Sequence, residues 1–149
     1  MQGLAESLAL DSSVAVKWFK KGEKGEQQSL RIRDDVFTAK VHAIAPEWLF
    51  LEVVRALVKI QYPRQKVEEA YSMLREAASL GLIEVVPTNM LLDEAKEAEI
   101  ELGLFASDAI YLAAAIVQHA NLLTSDRHLL NRHVLEYAKE QGIRILPLE

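Results

Sequence analysis

The chain has 149 residues, 50% of them hydrophobic, which is enough for one compact domain to bury a core without a structural metal or cross-link. It contains no cysteine, so disulfides and thiolate metal sites are excluded and any metal must be held by oxygen or imidazole. The formal charge of −5, from 17 Lys+Arg against 22 Asp+Glu, excludes a protein that coats nucleic acid by bulk electrostatics, but not one whose carboxylates hold cations that then face a phosphate.

The opening MQGLAESLALDSS has no basic n-region, and no apolar stretch approaches the roughly 20 residues of a membrane span. A soluble, cytoplasmic protein with no membrane partner is expected. In chain order, the first apolar run is Leu8–Leu10, followed by helical patterns over 13–20 and 26–38 that the Gly22–Gly25 turn separates. A second run covers Val41–Ala45. Pro46 then suits the first turn of a helix through Ile60, and Pro63 opens another that Gly81 ends. The run Ile83–Val86 precedes helices near 89–102 and 107–120, divided at Gly103. Leu122–Thr124, a last helix from Asp126 to Gly142, and Ile143–Leu146 complete the order. Strands alternating with helices imply an α/β fold around a mainly parallel sheet covered on both faces, in a single domain spanning 1–149.

Ligands in open parallel sheets bind beyond the carboxyl ends of the strands. Asp11 and Asp126 stand at such ends, although helix capping explains either one equally well. Glu52 interrupts an apolar run and shares a helical side with Arg55 and Lys59, which by periodicity alone reads as a solvated stripe; Glu47 competes with it as a ligand. Asp108 opens a helix apolar nearly all round, SDAIYLAAAIVQHA, and an acid adjoining a buried helix is usually paired or ligating. The histidines 42, 119, 128 and 133 show no ligand spacing; His119 reads as a core histidine, and His128 and His133 stand five apart, on different faces.

LDSSVAVKWF, PEWLFLEVVRAL, ASDAIYLAAA and LLTSDRHLL, taken in this order and spacing, resemble the PIN domains and, within them, the VapC-type toxins of prokaryotic toxin–antitoxin systems. The resemblance covers almost the whole chain. It implies a five-stranded parallel sheet in the order 3-2-1-4-5, flanked by helices, with Asp11, Glu52, Asp108 and Asp126 gathered into one catalytic, metal-binding site. It selects Glu52 over Glu47 and overturns the solvated-stripe reading. Arg55 departs from the family, many members of which carry asparagine there, and this bears on local hydrogen bonding and substrate contact.

The implied activity is endonucleolytic hydrolysis of RNA with Mg²⁺ or Mn²⁺, leaving a 5′-phosphate and a 3′-hydroxyl. Asp11, Asp108 and Asp126 would be ligands, with Glu52 binding metal or orienting water. Thr124 and Ser12 are candidates to position acids through their hydroxyls, and ordinary strand-end hydrogen bonding is the better reading of Ser12. Arg127, beside Asp126, is the base expected to meet a phosphate. Between residues 17 and 40 seven bases face four acids, a local excess of three that reads mostly as a solvated helical face. The resemblance also implies a homodimer and a small antitoxin partner, for whose interfaces Trp18 and Phe19 are candidates if they are not packed on the core. Two rivals are a non-catalytic PIN-fold interaction module, which the full acid set opposes, and an aspartyl-nucleophile phosphoryl-transfer enzyme, which lacks the expected second acid after Asp11.

Overall fold

The computed structural model describes residues 6–148, which form a five-stranded parallel sheet in the order β3-β2-β1-β4-β5 between layers of helices. The strands are β1 Glu6–Leu10, β2 Val41–Pro46, β3 Ile83–Val86, β4 Asn121–Thr124 and β5 Ile145–Pro147. The helices are α1 Ser12–Ala15, α2 Glu26–Phe37, α3 Trp48–Lys59, α4 Arg64–Ser79, α5 Leu92–Leu102, α6 Ala106–Val117 and α7 Arg132–Glu140. The expected fold class and strand order are both present. Strand order reverses at β1, whose neighbours β2 and β4 lie on either side and are reached by crossovers of opposite direction. The crevice that such a reversal leaves at the strand ends is where Asp11 and Thr124 fall.

Short apolar runs suffice here because helices cover both faces of the central strands. Leu8–Leu10 of β1 and Leu122–Thr124 of β4 are buried throughout, and α6 is buried from Asp108 to Ile116. Its alanines 113, 114 and 115 carry little side-chain bulk, which lets the helix lie close against β1, β2 and β4. Gly81 ends α4 as expected, with φ of 77°, while Leu82 N–H donates to the Ala77 carbonyl and Gly81 N–H to that of Ala78. Among the described residues no helix is long and apolar enough to cross a membrane.

Several boundaries differ from the sequence reading, each for a local reason. Pro46 does not open α3; it ends β2 opposite Val86, and the helix starts at Trp48. The pattern over 13–20 gives only four α-helical residues and a 3₁₀ turn, Val16–Trp18, where Trp18 is buried and Phe19 half-buried against the core. Those two aromatics are therefore core residues. His119 lies beyond the end of α6, exposed and at φ of 53°, and is not a core histidine.

The last helix starts at Arg132, not Asp126. Asn131 is its N-cap, accepting from His133 N–H at 2.8 Å, while Asp126 shapes the turn before it. Asn131→Ala should accordingly cost about 1 kcal/mol in urea unfolding, the usual weight of an N-cap. An unchanged midpoint would show that the cap contributes nothing to α7.

Candidate metal centre

Asp11 follows β1 directly, its N–H bonded to the Leu123 carbonyl of β4 at 3.0 Å. It caps α1, and its Oδ2 collects three donors: Ser13 Oγ at 2.6 Å, Thr124 Oγ1 at 3.0 Å and Ser13 N–H at 3.3 Å. Thr124 Oγ1 spends its proton on Asp11 and accepts the Asp126 N–H at 2.9 Å, so one hydroxyl links the acids at the ends of β1 and β4. The supporting hydroxyl on the other side is Ser13, not Ser12. Ser12 lines the same cleft without bonding to Asp11.

Asp126 is half-buried, and its carboxylate accepts from His128 N–H at 2.8 Å while its carbonyl accepts from Leu129 and Leu130. That tight turn swings the His128 ring back. Its Nδ1 lies 3.5 Å from Asp126 Oδ1 and 3.9 Å from Asp108 Oδ2. Asp108 is supplied by the first turn of α6, where the helix dipole favours a carboxylate. Ligand atoms of Asp108, Asp126 and His128 all fall within 4.8 Å of one another, a grouping that could coordinate a divalent ion. His128 was not visible as a candidate ligand in the sequence, because no helical or strand spacing relates it to an acid; only its position two residues after Asp126 was a signal.

The four acids line one cleft of about 470 Å³, together with a fifth acid, Glu23, and with Ser12, Ser13, Lys17, Arg55 and Lys59. Glu52, at the second turn of α3, is half-buried with an Oε1 that is wholly buried and has no hydrogen-bond partner among the described residues. The Tyr111 hydroxyl is in the same position. Burial foremost, and then the charge of Glu52, holds the Tyr111 pKa well above the usual phenol value. Glu47 faces elsewhere: it accepts from the N–H and hydroxyl of Thr88 and lines a larger cavity of about 960 Å³ with Phe50, Tyr71, Arg75 and the paired Glu84 and His42, away from Asp11, Asp108 and Asp126. Arg127 is exposed beside Asp126 and does not line the cleft.

Electrostatically the acids lack direct cationic partners: among the described residues none of Asp11, Glu52, Asp108 and Asp126 forms an ion pair with a lysine or arginine. Burial is the main cause of a raised Asp11 pKa, with Asp126 adding to it and the Ser13 and Thr124 hydrogen bonds opposing it. Asp108 is pushed up to about 7, chiefly by burial and then by Asp126 and Asp11. Packed carboxylates of this kind fit a hard divalent cation, which offers the neutralising charge and prefers the oxygen and imidazole donors present.

Removing the Thr124 hydroxyl should leave both the Asp126 N–H and Asp11 short of a partner. Thr124→Val is therefore expected to destabilise by roughly 1–3 kcal/mol, the cost of stranding buried polar groups. Denaturant unfolding at pH 7 checks this, and a change below a few tenths would mean that the two acids do not depend on the bridge.

The PIN domain family profile matches residues 8–134. No curated protein matches the sequence. Among solved structures, a DNA-bound VapBC from Salmonella typhimurium superposes with a TM-score of 0.59 at 15% identity, covering 97% of this chain and 99% of that one. A protein from Pyrobaculum aerophilum does so with a TM-score of 0.58 at 21% identity, covering 93% and 96%. A toxin–antitoxin complex from Klebsiella pneumoniae gives 0.55 at 17% identity, covering 80% and 86%. At these identities the likeness is one of fold.

Proposed function

The chain belongs to the PIN-domain family, and from that membership together with its acid cleft we propose that it is a divalent-metal-dependent endoribonuclease, the toxin of a VapBC-type pair. The observation that carries the reading is the mutual crowding of Asp11, Asp108 and Asp126, with Asp108 pushed up to about 7, which a bound cation would relieve. Mg²⁺ and Mn²⁺ suit the donors best, since both take carboxylate oxygens and water.

Asp108 and Asp126 would hold the ion, with the His128 ring and the remaining oxygen of Asp11 as further donors. Asp11 Oδ2 is already engaged by three protein donors. When bound, the ion supplies Lewis-acid stabilisation of phosphate charge and a lowered pKa for water. Glu52, half-buried in the lining of the cleft, would bind the ion or orient the water through its carboxylate. In the hydrolysis the water oxygen bonds to phosphorus as the P–O3′ bond breaks, and the proton ends on the 3′ oxygen. Ser13 and Thr124 hold Asp11 in one orientation throughout. Ser12, in the cleft, and Arg127, exposed beside Asp126, are proposed as lesser contacts to solvent and phosphate.

The solved VapBC and toxin–antitoxin complexes of the same fold support a small antitoxin as partner, and a homodimer belongs to the same reading. The test is endonuclease activity on single-stranded RNA with Mg²⁺ or Mn²⁺, followed by end analysis for 5′-phosphate and 3′-hydroxyl. A folded protein that binds neither ion calorimetrically and cleaves no RNA would instead be a non-catalytic PIN module.

A further inference from the structure

The acid cleft has a second lining that the acids do not explain. Lys17 projects from the 3₁₀ turn after α1, and Arg55 and Lys59 stand one turn apart on α3, all within the cleft. Lys17 Nζ is anchored by the Ser13 carbonyl and Ser125 Oγ, both at 3.2 Å, which fixes its charge beside the strand ends. Arg55 and Lys59 are exposed and form no ion pair among the described residues, although Glu52 is on the same helix. Arg55 and Lys59 are thus free to meet an anion from outside, while Lys17 also feels the charge of Glu23 in the same lining.

A different kind of group stands beside the metal grouping. Phe105, just before α6, is 69% exposed, and its ring lies 5.8 Å from that of His128 in an edge-to-face arrangement. His128 in turn approaches Asp108 and Asp126. An apolar ring this exposed, one imidazole from the acids, offers a face to a planar partner.

We propose that Lys17, Arg55 and Lys59 take the backbone phosphates of a single-stranded RNA in the cleft while Phe105 stacks on a base beside the cleavage point. Unpaired positive groups along a groove combined with an aromatic platform are the features that bind single strands without reading their sequence. A duplex keeps its bases stacked inward and cannot present one to Phe105. This deepens the ribonuclease reading and rests on it for the choice of RNA.

The test measures binding of a short fluorescein-labelled single-stranded RNA, by anisotropy over a range of salt, to protein carrying Asp108→Asn so that cleavage does not interfere. Adding Arg55→Ala and Lys59→Ala together should reduce the slope of log affinity against log salt by about 1.4, at roughly 0.7 per lost phosphate contact. Adding Phe105→Ala should weaken binding roughly ten-fold at an unchanged slope, and the duplex of the same sequence should bind more weakly than the single strand. An unchanged slope in the double variant overturns the phosphate role. Unchanged affinity in Phe105→Ala, with a shift in gel-filtration elution, overturns the stacking role and makes that ring an interface with a second copy. Lack of cleavage by the unaltered protein in Mg²⁺ or Mn²⁺ would sink the nuclease reading alone, because these binding changes are read without cleavage.

Discussion

In the Asp108→Asn variant, RNA cleavage should fall by a factor on the order of 10³ while the metal-free protein becomes more stable at pH 8. The two effects have one source. Asp108 is buried among acids, and its folded pKa of about 7 stands above the ordinary 3.8. Between those values the folded chain keeps a proton that the unfolded chain has released, so metal-free stability declines as pH climbs through this window and is lowest above about 7. Asparagine carries no charge to penalise and removes Asp108's share of that decline, leaving the share of Asp11, whose pKa burial also raises. Allowing for water that reaches an open cleft, the gain at pH 8 is about 1–2 kcal/mol. The activity loss follows because metal assistance is worth several kcal/mol of transition-state stabilisation, and each 1.36 kcal/mol is ten-fold in rate. Thermal melts at pH 5 and pH 8 in the presence of a chelator, alongside cleavage assays, decide the matter. A variant that is inactive but less stable at pH 8 would point to a structural role for Asp108 instead.

Metal should reverse the same pH dependence in the unaltered chain. An ion present at 100 times its dissociation constant stabilises by about 2.7 kcal/mol if it binds only the folded state. For a domain of this size that is a rise in melting temperature of roughly 5–10 °C. The rise should be larger at pH 8 than at pH 5, since at pH 5 a proton on Asp108 competes with the ion. Chelation should abolish cleavage and remove the rise together, and Asp126→Asn should blunt both. Equal Mn²⁺ shifts at the two pH values would mean that the ion binds away from Asp108.

Much of this arrangement was legible in the sequence, and the illegible parts share a cause. Alternation of short apolar runs with helical periodicity set the fold class, and Asp108 stood out because a charge at the head of a wholly apolar helix needs a partner. Asp11 was visible as an acid at a strand end, but the identity of its hydroxyl partner was not, because whether Ser12 or Ser13 turns inward depends on the capping geometry of α1. His128 escaped for a related reason. Its place near Asp108 comes from a turn closed by Asp126 and not from any periodic element, and turns carry no fixed spacing to read. Glu52 is a case in which periodicity described the helix correctly and its surroundings wrongly: the side it shares with Arg55 and Lys59 faces a cleft, not bulk solvent. A helical wheel cannot tell these apart, since both are wet.

The two borders of the sheet restrict what else this chain can join. At one, β5 has three residues and ends on Pro147, which has no N–H to offer a neighbour. At the other, β3 has four, with Glu84 paired to His42 of the neighbouring β2 and Pro87 immediately after. Strands this short, ended by proline and marked by charge, make poor templates for an added strand. Pairing through an added strand is thereby disfavoured at either border, and growth into ribbon-like aggregates is discouraged by the same few residues.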